Sequence, residues 1–232
     1  MIYSTKRTFI KRPAFILHCI LFILGIIGLI LSILTMGVTL FSYYTQLSNI
    51  FCMITSLLFI IESIKAESRL REFEALRNVT AAGAVELPHW LTVLRYMATS
   101  MVTVTFLIAV TVLAPMFDNI LQGYLQMLFA GANFFYHVAC PILSIIIFGF
   151  FEKSERLSFT ATFQAIIPTI LYAAVTIVLN ILHVLYGPYP FLHVYEQSPT
   201  ASALWCLSII FVAWILAILN RFIHNRGISN RF

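Results

Sequence analysis

The stretch AFILHCILFILGIIGLILSILTMGVTL, residues 14–40, decides the fold class, because it contains no Lys, Arg, Asp or Glu and is long enough to cross a lipid bilayer. A helix needs about 20 mostly apolar residues to span the hydrocarbon core. The stretch is too long for the apolar part of a signal peptide, and it lacks a cleavage site with small residues. We therefore predict a membrane span here.

Five further segments share the apolar character of the first, and together they predict an all-α bundle of six transmembrane helices. The predicted spans cover residues 14–40, 43–61, 96–116, 124–151, 161–186 and 201–219. They form one membrane domain that accounts for the whole chain of 232 residues. The spans show no convincing internal repeat, which argues against the inverted repeats of many transporters.

The overall composition agrees with a membrane protein, since 61% of the residues are hydrophobic and 10% are charged. Soluble domains contain about 45–50% apolar and about 25% charged residues. The composition therefore excludes soluble, disordered, collagen-like and disulfide-rich proteins. Four cysteines lie inside apolar runs without a CxxC motif, and they predict neither a metal site nor a disulfide framework.

The 14 Lys and Arg residues give the orientation, because basic residues collect in cytoplasmic loops. All of them precede span one, follow span six, or lie in or beside the connections two–three and four–five. The other connections contain no basic residue, and their only charged residues are Asp118 and Glu196. We predict that both termini are cytoplasmic, and we call that side the inner face. We expect the basic residues to contact anionic lipid headgroups and not nucleic acid.

The longest inner connection, residues 64–90, mixes charged and apolar residues at helical spacing, with Leu70, Phe73 and Leu76 on one side. Two interpretations remain open. The segment is either an amphipathic helix in the membrane interface or a solvated extension of the second span.

Polar side chains inside the spans are the candidates for function, because lipid offers them no hydrogen-bond partner. Span two opens with Thr45, Ser48 and Asn49, which share one face of a helix. Span four carries Asn133 and His137 one helical turn apart. For the serine and asparagine residues, hydrogen bonding between helices is the alternative interpretation.

His137 lies near the middle of its apolar run, where a titratable imidazole indicates function, although a packing role remains open. Pro141 removes the hydrogen bond to the His137 carbonyl, which predicts a kink and an open pocket toward the outer leaflet. His183 at the outer end of span five is a further pocket candidate, for which a position in the interface is the alternative. Tyr189 and Phe191 suit the pocket entrance, because aromatic residues favour the interface.

The residue types in the spans restrict the chemistry. There is no HxxxH pair, no carboxylate deep in a span and no lysine in any span, so we expect no metal and no cofactor. A hydroxyl and an imidazole remain. A neutral imidazole can take the proton of a hydroxyl that attacks an ester carbonyl. Asn49 and Asn133 are candidates to bind the oxyanion or to hold the imidazole in one tautomer.

The order of these motifs resembles a known family over nearly the whole chain. Thr45 after two aromatic residues, Asn133-x-x-x-His137 before a proline, and YPFL at residues 189–192 are together similar to the androgen-induced membrane proteins and their bacterial relatives. Pro141 lies one residue nearer to the histidine than in the animal members. The resemblance implies a multi-pass threonine hydrolase of fatty acid esters of hydroxy fatty acids in a bacterial plasma membrane. In that family's terms, Thr45 is the nucleophile and His137 the base.

Two other functions remain open, namely a non-catalytic lipid-binding or sensory protein, and a small-solute transporter with His137 as a proton relay. We expect a lipid from the bilayer as substrate, and the oligomeric state is not indicated. A free carboxylate on that lipid would need a cation such as Arg95, which is predicted at the inner face.

Thr45 is predicted near the outer end of span two, so its depth differs from that of His137 by on the order of 10 Å. A catalytic pair requires hydrogen-bond distance between them.

Overall fold

The computed structural model describes residues 13–77, 88–152 and 155–229. These residues form helices and turns without a strand, and six helical segments are long and apolar enough to span a membrane. The prediction of an all-α bundle with six spans is confirmed. The chain is therefore a multi-pass membrane protein.

Seven α-helices build the described part of the chain. They are α1 (Pro13–Met36), α2 (Tyr44–Arg77), α3 (His89–Ile108), α4 (Ile120–Tyr124), α5 (Cys140–Ile146), α6 (Ala161–Ile181) and α7 (Pro199–Ser229). Turns of 3₁₀ or π geometry extend several of them. The six spans, numbered in chain order, are Pro13–Ser42, Tyr44–Glu72, His89–Met116, Phe134–Phe151, Ala161–Ile181 and Pro199–Arg226. Because the number of spans is even, both ends of the described chain lie on the same side of the bundle.

Spans two and three are longer than the sequence predicts. Helix α2 continues to Arg77, so the described part of the inner connection is an extension of span two. The rest of the predicted amphipathic segment, residues 78–87, lies outside the described residues. Span three begins at His89 and not at residue 96. The predicted boundary follows from the charge of Arg95, which the structure places inside the bundle and not at the inner face.

Arg95 is fully buried because a network of polar groups surrounds its guanidinium. Its Nε donates to Glu152 Oε1 at 2.9 Å, and its Nη1 donates to Thr55 Oγ1 at 3.1 Å. His18 Nε2 lies 3.2 Å from the same carboxylate oxygen. Burial alone would raise the pKa of Glu152, but Arg95 and His18 outweigh it and hold that pKa at about 2. We call Arg95, Glu152 and His18 the inner network.

The predicted fourth span, residues 124–151, is divided into two parts. Helix α4 continues as a π-helical turn, Leu125–Phe129, and we call residues 120–129 the outer segment. The chain then turns at Gly131, whose φ of +49° is a conformation that glycine adopts without strain. The spanning helix begins only at Phe134. His137 therefore lies in the first turn of span four and not in its middle.

Span five ends at Ile181, and the loop that follows folds back into the bundle. Asn180 holds this loop, because its Nδ2 donates to the Leu185 carbonyl at 2.9 Å and its Oδ1 accepts the Val194 N–H at 3.0 Å. At Gly187 the backbone passes so close to the Leu192 carbonyl that a Cβ atom would lie 2.6 Å from it. The loop is thus tightly closed around the short turn Pro190–Leu192, whose residues Phe191 and Leu192 are buried.

The largest buried apolar cluster lies between α3, α6 and α7 and reaches the outer loop at Tyr189 and Phe191. Many large apolar side chains are exposed on the other side of each helix, among them Ile16, Ile23 and Ile30 of α1. A soluble protein does not expose such a surface, whereas lipid covers it. The core therefore sits between the helices, and its outer end adjoins the predicted site.

Candidate active site

Thr45 and His137 meet at the outer end of the bundle. The distance from Thr45 Oγ1 to His137 Nε2 is 3.2 Å, and both side chains are buried. Thr45 lies in the first turn of α2, and His137 lies in the first turn of span four. The depth difference expected from the sequence is therefore absent, because span four begins later than predicted.

The backbone of the outer segment orients the His137 ring. His137 Nδ1 lies 2.5 Å from the Met127 carbonyl oxygen. A carbonyl oxygen can only accept, so Nδ1 carries the proton and Nε2 of the neutral ring has the free lone pair. The Thr45 hydroxyl consequently donates to Nε2. Met127 orients the imidazole as the aspartate does in a Ser-His-Asp triad.

The sequence predicts that Pro141 distorts span four. The structure shows this distortion as a widened helix around His137. Proline has no N–H, so the His137 carbonyl loses its usual α-helical donor. Residues Phe134–Ala139 form a π-helical turn, and the Cys140 N–H donates to the Phe135 carbonyl, five residues earlier. This turn places the imidazole toward α2.

Asn49 and Ser48 hold the backbone around the pair. Asn49 Nδ2 donates to the carbonyls of Thr45 at 2.8 Å and Tyr136 at 2.9 Å, which ties the first turn of α2 to span four. Ser48 Oγ donates to the Thr45 carbonyl at 3.0 Å and lies 2.9 Å from Thr105 Oγ1. The amide hydrogens of Asn49 are therefore used by the backbone and not aimed at a substrate.

Asn133 lies outside the pair. Its Nδ2 donates to the Gln126 carbonyl at 2.9 Å and thereby closes the turn between the outer segment and span four. The structure assigns Asn133 to this turn and not to an oxyanion site at Thr45. Through the turn it supports the segment that carries Met127.

Tyr189 makes direct contact with the predicted nucleophile. Its hydroxyl oxygen accepts the Thr45 backbone N–H at 3.1 Å and lies 3.2 Å from Thr45 Oγ1. This N–H is free to donate because it belongs to the first turn of a helix. Burial raises the pKa of Tyr189, so the phenol keeps its proton. The sequence predicts Tyr189 only as part of the pocket entrance.

An apolar cavity opens beside Thr45 and Tyr189, between α2, α3, α6, α7 and the outer loop. His137 contacts Thr45 but does not line the cavity. The space measures about 590 Å³, including the part that is open to the outside. Of the described residues that line it, none carries a charge. The lining hydroxyls belong to Tyr44, Thr45, Thr105, Thr169, Tyr172 and Tyr189.

Most of these hydroxyls are bonded to neighbours in the wall. Tyr44 Oη lies 2.7 Å from Thr169 Oγ1, and Tyr172 Oη donates to the Ser42 carbonyl at 2.8 Å. Both contacts tie α6 to the beginning of α2. Among the described lining residues, Thr45 is the one whose hydroxyl contacts a histidine.

The other predicted pocket residues divide into two groups. Phe191 lines the cavity, and its ring stacks on Tyr189 with centroids 5.2 Å apart. His183 is exposed and stacks on Tyr195 with centroids 4.4 Å apart, away from the cavity. Pro141 is buried in span four but does not line the cavity.

The described residues contain no group of three or more His, Cys, Asp or Glu side chains that could hold a metal ion. The uncharged lining also offers no cation for a phosphate or carboxylate group. Comparison of the chain with protein-family models, with curated proteins and with solved structures gave no match. The chemistry of the site is therefore inferred from its geometry.

Proposed function

We propose that this protein hydrolyses lipid esters inside the membrane, with Thr45 as the nucleophile and His137 as the general base. One observation carries the proposal: a buried threonine hydroxyl lies 3.2 Å from the free nitrogen of an oriented histidine, at the wall of an apolar cavity. The resemblance to the androgen-induced membrane proteins points to the same two residues.

Acylation uses the proton that Thr45 shares with His137. His137 Nε2 takes the hydroxyl proton while Thr45 Oγ1 attacks the ester carbonyl carbon. The tetrahedral intermediate collapses when His137 returns this proton to the alcohol oxygen. The carbon–oxygen bond of the ester breaks, the alcohol leaves, and the acyl group remains on Thr45.

Deacylation repeats these steps with water. His137 Nε2 takes a proton from a water molecule as its oxygen attacks the acyl-threonine carbonyl. Collapse of the second intermediate returns the proton to Thr45 Oγ1 and releases the fatty acid. The site suits this step because it lies at the outer end of the bundle, near bulk water.

The cavity restricts the acyl part of the substrate. Its described lining carries no charge, and an isolated carboxylate in such a place would lose its hydration without compensation. The cavity therefore takes an uncharged hydrocarbon chain that enters from the bilayer. In a fatty acid ester of a hydroxy fatty acid, which the family resemblance suggests, the free carboxylate would stay outside. By the same resemblance, the plasma membrane of a bacterium is the proposed location.

The test is labelling of the purified protein with a lipophilic fluorophosphonate, which reacts with activated hydroxyls. We expect labelling of the wild type at Thr45, and none of Thr45→Ala or His137→Ala. Thr111→Ala and His183→Ala are matched controls, because both residues are exposed and away from the cavity. Both controls should label like the wild type.

Equal labelling of all variants would contradict the proposed pair. A non-catalytic lipid-binding protein is the second function that the apolar cavity favours. That function predicts tight binding of a fatty acyl ester with no turnover, and identical binding by Thr45→Ala. Turnover that requires Thr45 would exclude it.

A further inference from the structure

The proposed reaction needs a hydrogen-bond donor for the oxyanion, and the donors expected from the sequence are engaged elsewhere. Asn49 Nδ2 donates to two backbone carbonyls, and Asn133 Nδ2 donates to a third. The Thr45 backbone N–H, a common donor in such sites, points at the Tyr189 hydroxyl. Tyr189 itself is therefore the remaining donor that touches the nucleophile.

The hydrogen bonds around Tyr189 leave its own proton at the reacting atom. Its oxygen accepts the Thr45 N–H at 3.1 Å. The Thr45 hydroxyl proton goes to His137 Nε2, so the 3.2 Å contact between the two hydroxyls has Tyr189 as donor and Thr45 Oγ1 as acceptor. The phenolic hydrogen is thus aimed at the oxygen that attacks the substrate.

We propose that Tyr189 is a catalytic residue that donates its phenolic hydrogen bond to the substrate carbonyl oxygen in the transition state. This inference rests on the proposed hydrolysis at Thr45. As Oγ1 gives its proton to His137 and bonds to the carbonyl carbon, it becomes an ether-type oxygen and a weaker acceptor for the Tyr189 hydrogen. The carbonyl oxygen, attached to the same carbon, gains negative charge at that moment. The hydrogen bond moves to this oxygen, and the phenol keeps its proton.

The phenol is placed before the substrate arrives, which is what makes such a donor effective. Its ring stacks on Phe191 and meets the edge of Tyr43 with centroids 5.8 Å apart. Asn180 and the close approach at Gly187 hold the loop that carries it. The Thr45 N–H that donates to the phenol oxygen polarises its O–H bond and strengthens the donor.

The test compares Tyr189→Phe with Tyr96→Phe, a buried tyrosine that does not line the cavity and donates to the Ala217 carbonyl. The substrate is the p-nitrophenyl ester of a long-chain fatty acid. We expect Tyr189→Phe to lower kcat by about 10²–10³-fold, as loss of an oxyanion donor does, with little change in KM. Tyr96→Phe should stay within a few-fold of the wild type.

Two inhibitors with the same acyl chain separate catalysis from a structural role. A trifluoromethyl ketone forms a tetrahedral adduct with an oxyanion, whereas the corresponding alcohol only fills the cavity. Tyr189→Phe should weaken binding of the ketone by the same factor by which it lowers kcat, and it should leave binding of the alcohol unchanged. Equal weakening of both inhibitors would mean that Tyr189 only shapes the site, and it would overturn the inference.

A second variant covers the case in which Tyr189→Phe fails to fold. A fluorinated tyrosine at position 189 keeps the shape of the ring and makes the phenol more acidic. Since a phenolate cannot donate, the alkaline loss of activity should move to lower pH. Full activity of Tyr189→Phe, or an unmoved alkaline limb, would overturn this inference alone. An inactive wild type without fluorophosphonate labelling would instead overturn the proposed hydrolysis.

Discussion

Two buried polar clusters lie at opposite ends of this bundle. They differ in charge and in whether a cavity lies beside them. The inner network of Arg95, Glu152 and His18 pairs a guanidinium with a carboxylate, and Arg95 has protein partners on all three nitrogens. The outer site of Thr45, His137 and Tyr189 contains only groups that are neutral in the resting state, and it adjoins a cavity. A buried arginine whose nitrogens all have partners indicates a structural role, whereas a proton shared beside an open space indicates chemistry.

The largest expected effect is on activity at the outer site. Replacing His137 with Ala should lower the proposed ester hydrolysis by about 10²–10⁴-fold, because the proposed general base is lost. The folded state should be little affected, since the ring bonds only to Thr45 and one backbone carbonyl. Steady-state kinetics and thermal unfolding in detergent would measure the two effects. A variant that unfolds but keeps its specific activity would reverse our assignment of the two clusters.

The inner network should show the opposite pattern. Arg95→Met leaves the Glu152 carboxylate buried without its partner, and breaking such a pair costs about 3–5 kcal/mol. Unfolding in detergent should therefore occur at a clearly lower temperature. The double variant Arg95→Met with Glu152→Leu removes both charges and should recover most of the loss. If the double variant is no more stable than the single one, the ion pair is not the cause.

Acid should weaken the inner network. The pKa of Glu152 in the folded protein is about 2, below its ordinary value of 4.5, so the carboxylate stabilises the fold above pH 4.5. This contribution is lost as the pH falls from about 4.5 to about 2. Melting temperatures over this range should fall for the wild type and change less for Glu152→Gln. Parallel curves for both proteins would show that other groups cause the acid loss.

A smaller effect is expected at Asn133. Asn133→Ala removes the bond to the Gln126 carbonyl and loosens the turn that positions Met127. Because His137 is oriented by Met127, kcat should fall by about tenfold or less, in keeping with a partner that only orients the base. Asn133→Asp retains an acceptor but not the donor, and it serves as a matched control that should resemble Ala. Kinetics identical to the wild type in both variants would remove the outer segment from the catalytic machinery.

The six spans could be predicted because apolar length alone identifies them, but their boundaries depend on contacts distant in sequence. An unpaired Arg95 would mark the beginning of span three. In the folded chain its charge is paired with Glu152, which lies far along the chain and cannot be identified as its partner from the sequence. The break at Gly131 is hidden because apolar residues continue on both sides of it. Both differences arise from tertiary structure.

The same distinction holds at the outer site. Thr45 and His137 are recognisable because their side chains are chemically suited to nucleophile and base. Met127 cannot be recognised from the sequence, because it acts through its backbone carbonyl, a group that every residue possesses. Asn49 lies beside the pair, but the direction of its hydrogen bonds depends on which carbonyls the folded chain brings near.

The Met127 carbonyl has a consequence for the electrical balance of the membrane. If an aspartate side chain oriented the imidazole in place of this carbonyl, it would be a permanent anion in a medium of low dielectric constant, at a cost of several kcal/mol. A carbonyl dipole orients the imidazole and adds no net charge. In the proposed reaction the imidazolium cation and the oxyanion would then form together and vanish together. The bilayer would never have to hold a net charge, and each intermediate would exist as a close pair of opposite charges.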